Sequence, residues 1–185
     1  DGFLAVQKYS PFAYNENAMI YYVENMHHPT YERDTFIKKG VEEIIKLLEI
    51  TKGKALILFT SKSDLNEVYN ILKKKNIGYN LLRQSIASSQ DEILEQFKKD
   101  EDSVLLATGT FWEGIDIPGK ALSNLIVFRL PFPVPDPIIE YKRSASKDFL
   151  MEVSVPYMIV KLRQGIGRLI RKHDDKGIVA ILDSR

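Results

Sequence analysis

Ala55-Leu56-Ile57-Leu58-Phe59-Thr60-Ser61-Lys62-Ser63-Asp64-Leu65 changes its character midway. Ala55–Phe59 is continuously apolar, as a strand must be when both its faces are buried. Ser61 to Asp64 supplies the short polar side chains that open a helix, and Leu65–Lys75 continues as its amphipathic body. A strand without a polar side, running straight into a capped helix, belongs in a parallel sheet covered by helices on both faces.

The same alternation extends in both directions. Upstream, residues 1–30 form an irregular lead-in segment around one candidate strand, Ala18–Val23. His27 and His28 have no acidic or histidine partner at ligand spacing and read as loop. Tyr31–Leu48 is predicted helical, because Phe36, Ile37, Val41, Ile44, Ile45 and Leu48 recur at three- and four-residue steps. Downstream follow a strand at Tyr79–Leu82, a helix at Ser89–Lys99, and strands at Val104–Ala107 and Leu125–Phe128. Pro137 opens a helix to Phe149, Pro156 a longer one to Lys172, and Ile178–Leu182 is a closing strand. In such sheets ligands bind beyond the carboxyl ends of the strands, which points to the segments after each strand as the functional ones.

Composition narrows the classes. The 185 residues suit one domain, and 44% hydrophobic with 28% charged residues is ordinary for a globular chain. With no cysteine, disulfides, thiolate catalysis and Cys-based zinc or iron–sulfur sites within this chain are excluded. No apolar run reaches the length of a membrane span and no signal peptide is visible, so the expected compartment is the cytoplasm and no membrane partner is expected. Net charge is only +1, but from Lys120 onward twelve basic residues face seven acidic ones, compatible with phosphate binding. The chain starts without methionine and stops just after an apolar run, and it reads as one piece excised from something larger.

Two stretches carry chemistry. In Gln164-Gly165-Ile166-Gly167-Arg168-Leu169-Ile170-Arg171, a continuous helix places Gln164, Arg168 and Arg171 within about 60° of one another. Ile159, Leu162, Ile166, Leu169 and Ile170 then lie on the opposite, buried side, with Gly165 and Gly167 on the flanks. Two adjacent guanidiniums repel unless an anion is brought to them, and their planar forks suit a polyphosphate. The second stretch, Ala107 to Gly119 (ATGTFWEGIDIPG), follows a strand directly. Its glycines permit close approach of a ligand, its threonine hydroxyls suit phosphates, and an aspartate suits a ribose hydroxyl. Phe111 and Trp112 favour core packing over base stacking, as does Phe132.

QGIGRLIR resembles motif VI of superfamily 2 helicases, TGTFWEGIDIPG their motif V in its DinG/XPD form, and LILFTSKSDL their motif IV. The run Arg129 to Pro137 (RLPFPVPDP) resembles the LPF-rich stretch between V and VI, and Ser10-Pro11-Phe12 the start of the domain. The resemblance spans nearly the whole chain. It implies a RecA-like three-layer α/β fold in which residues 1–185 form a single second motor domain. ATP would sit between it and a first helicase domain of the same polypeptide, which brings the Walker A lysine and the acidic Mg²⁺-binding box. Neither motif occurs here. By the same resemblance Arg168 and Arg171 match catalytic arginine fingers, Gln164, Gly114 and Asp116 the nucleotide-binding positions, and no residue is a metal ligand. Thr60, Ser61, Thr108 and Thr110 are the candidates for single-stranded DNA phosphates, and Glu113, midway between Thr110 and Asp116, for coupling. Activity is expected to be ATP-dependent 5′–3′ translocation on single-stranded DNA, with this piece inactive alone. An iron–sulfur cluster, if one exists, belongs to the first domain. Two alternatives stay open: the motor half of a DinG-like nuclease with an upstream exonuclease domain, and a non-catalytic nucleic-acid-binding module.

Overall fold

The computed structural model describes residues 17–84, 89–112, 122–167, 169 and 176–185, with only the backbone of Thr110 and Trp112. Its elements are β1 (Ala18–Tyr22), α1 (Arg33–Thr51), β2 (Ala55–Phe59), α2 (Lys62–Lys75), β3 (Leu81–Arg83), α3 (Gln90–Lys99) and β4 (Val104–Thr108). A 3₁₀ turn (Gly109–Trp112), β5 (Asn124–Val127), α4 (Pro137–Ala145), a π-helical turn (Leu150–Ser154), α5 (Val155–Ile166) and β6 (Gly177–Ile181) follow.

All six strands run parallel in the order β1-β6-β5-β2-β4-β3. β2, β4 and β5 are buried at every position, so their side chains feed two separate cores. On one face α1 and α2 pack Phe36, Ile44, Leu48, Leu65, Val68 and Leu72 against Ile57, Phe59, Leu106 and Phe128. On the other, α3 supplies Ile93, Leu94 and Phe97 against Leu56, Leu58, Leu105 and Val127, joined by Phe111 and Leu169. This is the three-layer arrangement that the apolar strands predict.

The local chemistry accounts for the boundaries. Ser61 caps α2 by accepting from the Asp64 N–H. Ser89 and Glu92 form a reciprocal capping box at the start of α3. After α1 the chain turns through Lys52, Gly53 and Lys54, all at positive φ, and a Cβ on Gly53 would lie 2.1 Å from the Asp102 carbonyl oxygen. Only glycine fits there. His27 and His28 serve the start of α1: His27 pairs with Glu32, and His28 Nδ1 faces the Thr30 and Tyr31 N–H groups. Glu32 also accepts from the His28 N–H; that bond first, and His27 second, holds its carboxyl below the usual range.

Three sequence expectations need correction. The helix predicted for Pro137–Phe149 ends at Ala145. The strand predicted at Tyr79–Leu82 begins only at Leu81, after the positive-φ turn at Gly78. The helix predicted to run to Lys172 ends at Ile166, with Gly167 capping it and the Leu169 N–H turning back to the Ile166 carbonyl. Two glycines in three residues weaken that last turn, and the three-residue bond tightens it out of the α-helix. A shared helical face for Gln164, Arg168 and Arg171 therefore does not follow from α5. Its packing differs too: Ile159 is 40% exposed, Leu162 and Ile166 are only half-buried, and Gly165 is buried rather than open on a flank.

Candidate functional site

The carboxyl edge of the sheet gathers the strand-end residues. Phe59 of β2 lies opposite Thr108 of β4, so Thr60-Ser61 and Thr108-Gly109 leave the sheet side by side. They leave in opposite directions. The chain after β2 enters α2 on one face, whereas the 3₁₀ turn after β4 sends Phe111 into the core of the other. Such a divergence between neighbouring parallel strands marks the usual ligand position in an open α/β sheet. Gly109 begins the second exit at φ 53°, a conformation that a side chain would disfavour.

The predicted contacts divide. Thr60 is exposed at the sheet edge, and Ser61 is half-buried with its hydroxyl engaged in the α2 cap. Thr108 is buried, and both its N–H (2.9 Å) and its hydroxyl (3.0 Å) donate to Gln84 Oε1. Gln84 follows β3, with its own N–H bonded to the Leu106 carbonyl. Thus β2, β4 and β3 bring Thr60, Ser61, Thr108 and Gln84 to one rim. Gln164 is exposed on the last turn of α5. Glu113, Gly114, Asp116, Arg168 and Arg171, and the side chain of Thr110, lie outside the described residues.

A charged cluster braces this rim, and sequence reasoning missed it. Asp64, buried in the first turn of α2, receives two bonds at Oδ1 from Arg33 Nε (3.1 Å) and Nη2 (2.8 Å). Its Oδ2 stands 2.8 Å from Arg129 Nε, in ion-pair contact but off the hydrogen-bonding line. Arg33 also pairs with Glu67 at 2.7 Å, and that bond chiefly raises its already high pKa, against burial. Arg129 donates to the Pro29 carbonyl at 2.6 Å and lies over the Phe36 ring. Burial, and then Arg185 and Arg33 nearby, lower the Arg129 pKa although Asp64 opposes this. Beyond it, buried Asp183 accepts from the Leu130 N–H and from Arg185. The cluster ties α1, α2 and the segment after β5 together. Arg33 stands 31 residues before Asp64 and Arg129 stands 65 residues after it, so no local pattern announces them.

Among the described residues no group of three or more His, Cys, Asp and Glu could hold a metal ion, and no helix is long and apolar enough to cross a membrane. A groove of about 740 Å³ opens at the opposite, amino-terminal edge, lined by Ala18, Lys54, Ser123 and Gly177 among others. It includes none of the predicted site residues.

Comparison with known proteins places this geometry. Residues 44–185 match the family described as the helicase C-terminal domain. The probable ATP-dependent helicase YpvA of Bacillus subtilis is 36% identical over 97% of this chain and 27% of its own length. The ATP-dependent DNA helicase YoaA of Haemophilus influenzae is 36% identical over 98% of the chain and 29% of itself. The 3′-5′ exonuclease DinG of B. subtilis is 35% identical over 95% and 20%. The chain thus spans less than a third of each relative. A solved XPD helicase superposes with a TM-score of 0.72 at 22% identity, over 91% of this chain and 32% of that one, which shows the RecA-like fold. The chain belongs to the helicase C-terminal domain family, is similar in sequence to YpvA, YoaA and DinG proteins, and shares its fold with XPD helicase.

Proposed function

We propose that this chain is the second motor domain of an ATP-driven single-stranded-DNA translocase, moving 5′ to 3′, that completes an ATP site begun by a first motor domain. The observation that carries this reading is the parallel register of β2 with β4, which sets Thr60 and Ser61 beside Thr108 at the carboxyl edge of the sheet, where a DNA strand could run. The Thr60 and Ser61 hydroxyls and neighbouring backbone amides hold phosphates without reading bases, as a motor requires, whereas the Thr108 N–H and hydroxyl are both spent on Gln84. Arg168 and Arg171 stabilise the charge that spreads over the γ-phosphate oxygens during hydrolysis. Gln164 presents its amide to the nucleotide, Asp116 takes the ribose, and Gly114 lets the loop approach. Mg²⁺ is held by the first domain.

The test is made in the full-length protein. Arg168→Ala or Arg171→Ala lowers kcat for ATP by roughly 10³-fold or more, on the scale of other arginine fingers, with an unchanged unfolding midpoint. The isolated chain does not turn over ATP. A lowered midpoint at unchanged turnover per folded molecule would make the arginines structural and defeat the proposal. The exonuclease among the relatives favours a second reading, the same motor half in a chain with an upstream nuclease domain. The sequence of the whole polypeptide distinguishes the two.

A further inference from the structure

We infer that Gln84, rather than Thr108, presents the phosphate-facing hydrogen-bond donor at the end of β3 and β4. The inference rests on the strand-end DNA reading proposed above and names the donor within it. The Thr108 N–H can only donate, so the atom 2.9 Å away must be an acceptor. That single fact fixes the orientation of the Gln84 carboxamide, whose oxygen and nitrogen are told apart by their hydrogen-bond partners. With Oε1 facing Thr108, the nearby hydroxyl at 3.0 Å must also donate to it. Thr108 has then used both its protons inside the protein, and the residue is only 8% exposed. It has no donor left for a phosphate oxygen.

The same two bonds leave Gln84 Nε2, with both its protons, on the side away from Thr108. Among the described residues no acceptor engages it. Gln84 is half-buried, and its carboxamide is held at one end by Thr108 while none of the described residues engages the other. Arg83, its neighbour, is turned to the other side, bonded to Asn66 and stacked on Tyr69. Gln84 and Thr60 lie on strands flanking β4, about 10 Å apart by strand spacing, along the same rim. An amide anchored through its oxygen is a preorganised neutral donor: it adds a contact to a phosphate without adding charge. Thr108 is thereby a positioning residue that holds Gln84.

The test uses the full-length protein and a fluorescent oligo-dT, with anisotropy read across a salt series. Gln84→Glu keeps the size and the acceptor toward Thr108 but replaces the donor with an anionic oxygen. Gln84→Met removes the donor without charge, should the glutamate variant fail to fold. Either variant is expected to weaken single-strand binding on the order of tenfold, the scale of one hydrogen bond to a charged group. Gln84→Met should leave the salt slope unaltered, because no ionic contact is lost. Thr108→Val, which keeps the N–H bond, is expected to weaken binding less than about threefold. Wild-type affinity in a folded Gln84→Met protein, or a larger loss from Thr108→Val than from Gln84→Met, overturns the inference. Thr60→Ala separates the two levels: if it weakens binding while Gln84→Met does not, only the assignment of Gln84 fails. If neither matters, the strand-end DNA reading fails with it.

Discussion

Replacing Asp64 by asparagine tests whether the charged cluster holds the rim together. The carboxylate is 3% exposed and balances two guanidiniums, Arg33 at 2.8 Å (side chain 32% exposed) and Arg129 at 2.8 Å (17% exposed). Removing one member of a buried ion pair typically costs about 3–5 kcal/mol, because the remaining charge stays desolvated. Here the cost is smaller. Arg33 is a third exposed and keeps Glu67, so its share falls toward the ~0–1 kcal/mol of a surface pair. Arg129 keeps the Pro29 carbonyl, the Phe36 ring and the more distant Asp183 charge but no direct carboxylate partner, and carries most of the loss. Asp64→Asn should therefore destabilise the domain by about 2–3 kcal/mol. With a urea slope of roughly 2 kcal/mol/M, the unfolding midpoint falls by about 1–1.5 M. The substitution leaves the backbone N–H of residue 64 and the Ser61 cap in place, so helix α2 itself persists. Adding Arg129→Met should recover part of the loss, since it removes the orphaned charge along with its partner. A midpoint within about 0.3 M of wild type, at unchanged slope, would refute the reasoning.

Three further outcomes are expected. Gly53→Ala should destabilise by well over about 1 kcal/mol in thermal or urea melts, because φ is 75° and the new Cβ meets the rigid Asp102 backbone; an unchanged midpoint would mean that the turn relaxes freely. Glu43 is buried on α1, where burial opposes its ionisation but bonds from Tyr21, Lys46 and Lys39 hold its pKa below the ordinary 4.5. A depressed carboxylate contributes stability above its unfolded pKa and loses it as pH falls through the folded one. The gap in midpoint between wild type and Glu43→Gln should thus be full near pH 7 and close below about pH 4.5; a gap independent of pH would assign it to packing instead. Glu113→Gln in the full-length protein should leave single-strand affinity and basal ATPase nearly intact and lower the DNA-stimulated part; unaltered stimulation removes Glu113 from coupling.

Sequence alone determined what depends on neighbours along the chain. Continuous apolar runs at Ala55–Phe59 and Val104–Ala107, with helices between, specify a parallel sheet, because a strand lacking a polar face must be covered twice. Ser61 and Ser89 announce their helices because capping is settled within four residues. The stretches that resemble motifs V and VI pointed to the helicase family that the comparison shows, because they are contiguous words. Tertiary structure alone decided how separate strand ends meet. Whether a threonine after a strand offers its hydroxyl to solvent depends on the strand beside it, and β3 brings Gln84 to take both protons of Thr108. The Arg33–Asp64–Arg129 cluster joins three elements distant in sequence, and Coulomb attraction between them exists only once the sheet and α1 have closed. The end of α5 at Ile166 also escaped the periodicity, since a 3.6-residue pattern continues through glycines that the backbone does not follow.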